Sequence, residues 1–176
     1  MDEIPLEKAV RLIYPRITVL VTTRNKKGKA NAAPYSWFAP VSFKPPMLYL
    51  GIQHRETLTI KNMKETEEFV VNIVTKEWAS KAVACEAKIE DKIEKSGIGL
   101  KESKKVKAPT VKEAKIALEC KLHEIIETDR ADHFLVIGEI VHAEKDSELK
   151  DEEIVMHYSG ANFAGSGKKY EVERKK

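Results

Sequence analysis

Hydrophobic and polar positions change period several times along the chain, and each change marks an element. Pro5 to Ile13 reads as a short amphipathic helix with proline in its first turn. Ile17 to Thr23 is a β-branched strand closed by the turn Asn25-Lys26-Lys27-Gly28. The strand that resumes near Lys29 runs through Ala32-Ala33-Pro34 to about Phe38. Pro34 has no N–H to give a ladder, so that strand is expected to bulge or lie at a sheet edge. Met47 to Ile52 is apolar enough to be buried on both faces. A short helix over Thr57 to about Glu65 and a strand over Glu68 to Val74 follow.

Two helical patterns come next, Lys76 to Ala87 and Ile89 to Lys95, ending at Ser96-Gly97. A lysine-rich connection then leads to Pro109. From Lys115 to Ile126 the residues alternate, with Ile116, Leu118, Cys120 and Leu122 on one face. His133 to Ala143 is another strand, containing Gly138, and Ile154 to Tyr158 is a last short one. There is no internal repeat, and residues 1–176 form one domain with a basic tail at 168–176. Six or so strands with peripheral helices predict a barrel of mostly β or α+β type.

Composition refines this only slightly. Hydrophobic residues make up 42% and charged residues 34%, with Lys and Glu dominant and Gln53 the only glutamine. That balance is the one associated with heat-adapted proteins, so a thermophilic source is expected. A net charge of +3 is too mild to call for a nucleic-acid partner. The lysines at 101–107 and in the tail read as solvated loop and tail. Cys85 and Cys120 match no redox or zinc spacing and are expected to be buried thiols. With no signal peptide and no apolar run of spanning length, a cytoplasmic protein free of the membrane is expected.

Candidate chemistry concentrates between Asn31 and Asn72. Small residues, Tyr35, Trp37 and Phe38 could accommodate a flat ring against the backbone. Gln53-His54-Arg55 and Thr57, Thr59 and Asn62 sit at a helix start, where N–H groups, hydroxyls and a guanidinium favour phosphate. A ring with a phosphate arm describes a nucleotide. The bland alternatives are a core role for Trp37 and Phe38 and a plain threonine cap at Thr57. No dinucleotide-binding fingerprint, phosphate-binding P-loop, nucleophile elbow or histidine metal spacing is present, so neither a catalytic side chain nor a metal site is expected.

Asn31-Ala-Ala-Pro-Tyr-Ser-Trp-Phe38, Pro45-Pro46 before a buried strand, Thr57-x-x-x-x-Asn62 and Glu68-Phe-Val-Val-Asn72 together resemble the flavin reductase-like, FMN-binding split-barrel family. Asp132-His133 leading to Gly138-Glu139, and His157-Tyr158-Ser159-Gly160, extend the resemblance over about residues 10–165. Ser159 to Phe163 departs from the paired glycines common in that family. The resemblance implies a six-stranded split β-barrel with peripheral helices, FMN as cofactor and a homodimer. It places Asn31, Pro34, Tyr35, Ser36 and Trp37 along the isoalloxazine and ribityl region. Gln53, His54, Arg55, Thr57, Thr59 and Asn62 fall along the phosphate path, with His133 at the pocket side. The implied function is an FMN-dependent oxidoreductase passing electrons from NAD(P)H to a small-molecule or protein acceptor. Two alternatives stand beside it: an FMN-binding electron carrier with little NAD(P)H oxidase activity, and a non-enzymatic barrel whose basic loops bind nucleic acid.

Overall fold

A computed structural model describes residues 2–53, 57–87, 89 and 91–168. Helix α1 spans Leu6–Ala9 and is followed by strands β1 (Arg16–Ile17), β2 (Val19–Arg24), β3 (Ala30–Tyr35), β4 (Phe38–Phe43) and β5 (Pro46–Gln53). Helix α2 (Leu58–Thr66), β6 (Glu68–Ile73) and helices α3 (Ala79–Ala84) and α4 (Lys92–Ser96) come next. The chain closes with β7 (Leu100–Lys101), β8 (Thr110–Val111), β9 (Ile116–Ile126), β10 (His133–Lys145), β11 (Val155–Ser159) and β12 (Asn162–Gly165).

Among the described residues the main sheet has seven strands in the order β3-β2-β6-β9-β10-β5-β4, all antiparallel. Its two edges, β3 and β4, are not paired with one another, which is the split in an otherwise barrel-like sheet. The fold is mostly β, as expected, and its main sheet has one more strand than the six predicted. The difference lies after Pro34: the predicted strand stops at Tyr35, and Phe38–Phe43 returns alongside β5 as a second edge. Both edges carry proline, Pro34 in β3 and Pro40 in β4, where a missing ladder donor costs least.

The core follows from the alternation in β2. Val19 and Val21 pack inward with Leu50, Met63, Phe69 and Val136, while Leu20 packs outward with Trp78, Ala82 and Val111. That leaves β2 buried on both faces. Gly138 of β10 crosses over the Phe69 ring, and a Cβ there would collide with the ring carbons. On β6, Asn72 donates through Nδ2 to Leu20 O at 3.0 Å and accepts from Val111 N at 2.9 Å, tying β6, β2 and β8 together.

The lysine-rich connection is more ordered than a solvated loop. The buried Glu119 carboxylate accepts from Lys104 N at 2.8 Å and Lys105 N at 2.6 Å, and Val106 and Ala108 are buried. Lys101 and Lys104 both pair with Glu144, whose carboxyl they hold down to about 2. Cys85 and Cys120 are buried free thiols, and burial raises the pKa of each. Of the predicted basic tail, residues 169–176 lie outside the described residues. No helix is long and apolar enough to cross a membrane among the described residues.

Candidate functional site

The edge strand β3 and the first turn of α2 make one wall of a cavity of about 830 Å³, and Cys85, Ile89, Lys92, Ile93 and Leu100 are among the residues of the other. That volume lies within the roughly 300–1,000 Å³ of small-molecule and cofactor sites. Asn31, Pro34 and Tyr35 from the predicted ring region line it together with Thr57, Thr59 and Asn62 from the predicted phosphate region. Two stretches separated by β4 and β5 in sequence thus share one space. Ala33 also lines it, whereas Ala32 is buried on the opposite side against Leu20 and Trp78.

The polar groups are arranged unevenly. Asn31 is only 4% exposed, and its Nδ2 donates to Thr59 Oγ1 at 3.1 Å. Its Oδ1 is buried without a partner. Turning the amide over would merely exchange the atoms and strand the nitrogen instead. Thr59, having accepted from Asn31, still has its own hydroxyl proton to give. A buried amide atom without a partner costs about 1–3 kcal/mol. Asn62 is committed elsewhere, donating to Thr23 Oγ1 at 3.0 Å and fastening α2 to β2.

Thr57 is the N-cap of α2. Its Oγ1 accepts from Ile60 N at 3.2 Å, which leaves the hydroxyl proton free to point away from the helix. The unpaired N–H groups of the first turn and the positive end of the helix dipole favour an anion beside it. The cap reading and the anion reading are therefore compatible in one oxygen.

Ser36, Trp37, Gln53 and His133 do not line this cavity. The Trp37 ring stacks on the His133 imidazole with centroids 4.3 Å apart and planes 6° from parallel. His133 Nδ1 is 2.6 Å from Asp132 Oδ1, so that nitrogen carries a proton. Gln53 lies opposite His133 in the β5–β10 register. Gly51 N donates to Trp37 O at 2.8 Å, and a Cβ on Gly51 would sit 3.0 Å from Trp37 Cβ, so the indole needs glycine there. Ser36 Oγ is 3.1 Å from His157 Nδ1, while His157 Nε2 is 3.1 Å from Gly160 O. A carbonyl only accepts, so Nε2 bears a proton, and Nδ1 and the Ser36 hydroxyl share the other hydrogen bond. His54 and Arg55 lie outside the described residues.

The far wall was absent from the sequence reading. Ile89, Lys92, Ile93 and Leu100 face β3 across the cavity, and burial lowers the Lys92 ammonium pKa. Helical periodicity marked Ile89, Lys92 and Ile93 only as a helix, because which strand that segment faces is a tertiary fact.

The split, mostly β sheet thus carries a cavity of small-molecule or cofactor size between an edge strand and a helix start. The chain belongs to the flavin reductase like domain family, which matches residues 10–166. An uncharacterized protein of Aquifex aeolicus is 35% identical over 170 residues, covering 92% of this chain and 86% of that one. The 2-nitrobenzoate 2-nitroreductase of Pseudomonas fluorescens is similar in structure, with 31% identity and a TM-score of 0.84 over 98% of this chain and 93% of that one. Nitrilotriacetate monooxygenase component B of Bacillus cereus is 26% identical, with a TM-score of 0.86 over 98% of each chain.

Proposed function

We propose that the cavity holds FMN and that the protein is an FMN-dependent oxidoreductase, drawing electrons from NADH or NADPH and passing them to a small-molecule or protein acceptor. The observation that carries this reading is that Asn31, Pro34 and Tyr35 of β3 line one cavity with Thr57, Thr59 and Asn62 at the capped start of α2. A polyol hydroxyl, as the ribityl chain of a flavin offers, would accept the proton that Thr59 keeps after accepting from Asn31. Thr57 and the first-turn N–H groups would hold the terminal phosphate, with Arg55 assigned to the same anion. Ala33, having only a methyl group, lets the ring lie close to the backbone, and Tyr35 flanks it.

Bound FMN would supply the two-electron redox chemistry. The chain's own residues bind, orient and exclude water, and none is required as an acid or base. The Trp37–His133 stack and the Ser36–His157 pair would fix the β3–β4 corner and the end of β5 beside that site. Membership of the family and the reductase-type relatives support an oxidoreductase. Leu6 is 86% exposed and Phe43 95% exposed, which supports a homodimer that covers these apolar side chains.

The test is titration of the purified protein with FMN, followed by anaerobic mixing with NADH and with NADPH. Uptake of FMN and bleaching of its visible band by either nucleotide is expected. Uptake without bleaching would make the protein an electron carrier fed by another protein. A protein that takes up neither FMN nor FAD would sink the proposal.

A further inference from the structure

A second groove, of about 420 Å³, lies beside α2 and is lined by Asn25, Lys26, Lys27, Leu58, Lys61, Asn62 and Glu65. Asn25, Leu58 and Asn62 line the large cavity as well, so the two spaces adjoin around the start of α2. Three lysines face a single carboxylate here. Among the described residues, Lys26, Lys27 and Lys61 make no ion pair, and Glu65 accepts only from the backbone N–H of Lys26, at 3.4 Å.

The turn that presents two of the lysines is held in place. Asn25 Oδ1 accepts from Lys27 N at 3.0 Å and Lys29 N at 2.9 Å, and Gly28 takes the left-handed φ of +85° that closes the turn. Lys61 comes from the first turns of α2, on the same face as Leu58 and Glu65. Cations fixed on two elements across a groove, with too few carboxylates to neutralise them, suit a ligand bearing several negative charges.

We propose that this groove is a subsite for the phosphates of an adenosine diphosphate end, beside the phosphate position assigned at Thr57. The inference rests on the flavin reading of the large cavity and adds to it. The shared chemistry is an adenosine diphosphate end, which either FAD or a pyridine dinucleotide would bring.

The experiment uses the full chain and the triple variant Lys26→Ser, Lys27→Ser, Lys61→Ser, all at exposed positions. FMN and FAD are titrated by flavin fluorescence, NADPH against the FMN-loaded protein, and ADP alone by calorimetry. FMN affinity is expected to stay within about twofold. FAD, NADPH or ADP is expected to weaken by about tenfold, equivalent to about 1.4 kcal/mol. The loss should shrink in high salt, where screening acts on exposed charges. Loss for FAD identifies the flavin's own adenylate as the occupant, and loss for NADPH alone identifies the pyridine nucleotide. If FMN binds and none of the three weakens more than FMN does, the subsite is wrong while the flavin site stands. If no flavin binds but ADP does so in a lysine-dependent way, the groove stands and the flavin reading falls.

Discussion

Replacing Thr57 by alanine separates the two tasks assigned to one oxygen. The cap bond from Ile60 N to Thr57 Oγ1, 3.2 Å long, is lost in the variant. Losing such a cap costs about 1 kcal/mol, within a range of about 0.5–2. In a chain of this length that lowers the melting temperature by about 2–4 °C. The same change removes the hydroxyl proton assigned to phosphate. A hydrogen bond to a charged group contributes about 1.5–3 kcal/mol, so FMN should bind about 10- to 150-fold more weakly. Riboflavin, which has the same ring and ribityl chain but no phosphate, should lose no more than about threefold, through the frayed helix start. Thr57→Ser keeps the hydroxyl and should restore most of both effects. The assay is a fluorescence titration of each ligand, with a thermal melt of each variant. Equal losses for FMN and riboflavin would refute the phosphate assignment, and an unchanged melt would refute the cap.

Asn31→Ala is expected to weaken FMN and riboflavin by the same factor, about fivefold or more, because both carry the ribityl chain. Selective loss of FMN in the same titration would contradict the role given to Asn31. Gly138→Ala drives a methyl into the Phe69 ring and should destabilise the fold by about 1–3 kcal/mol in denaturant unfolding, with Phe69→Leu in the same chain recovering part of the loss. Glu144→Gln tests the lysine clamp. The folded carboxyl sits at about 2 against an ordinary 4.5, so its contribution is complete above 4.5 and disappears as pH falls toward 2. The native chain should therefore lose more stability than the variant across that window, and the gap should narrow in high salt, as monitored by urea midpoints at each pH.

Local patterning made most of the secondary structure legible. The alternation of Ile116, Leu118, Cys120 and Leu122 is one face of β9, and these side chains pack on the inner core. Pro34 marked an edge because its missing N–H is a local property, and β3 is that edge. Thr57 marked the start of α2 for the same kind of reason. The return strand β4 was harder to see. Ala39, Pro40 and Ser42 have neither the branching nor the burial that a period-two signal needs, and three of its six residues are exposed. The lysine-rich connection looked solvated because its anchor, Glu119, lies fourteen or more residues downstream on another strand.

The candidate site shows the same boundary between local and tertiary information, with a functional consequence. Asn31, Ala33 and Tyr35 alternate along β3, and Thr57, Thr59 and Asn62 share the first turns of α2. Each set was therefore readable, and the fold brings the two to one cavity. Trp37 and His133 carry the same aromatic and polar chemistry, yet they meet each other instead, because β4 turns away from β3 after Tyr35 and runs back along β5. Residue type alone could not separate the two groups. What separates them is place: the Trp37 and His133 rings stack on one another away from the cavity, whereas Asn31 lies at its wall. Ligand specificity is therefore expected to respond to Asn31 and Thr57 first, and to Trp37 chiefly through the position of the β3–β4 corner.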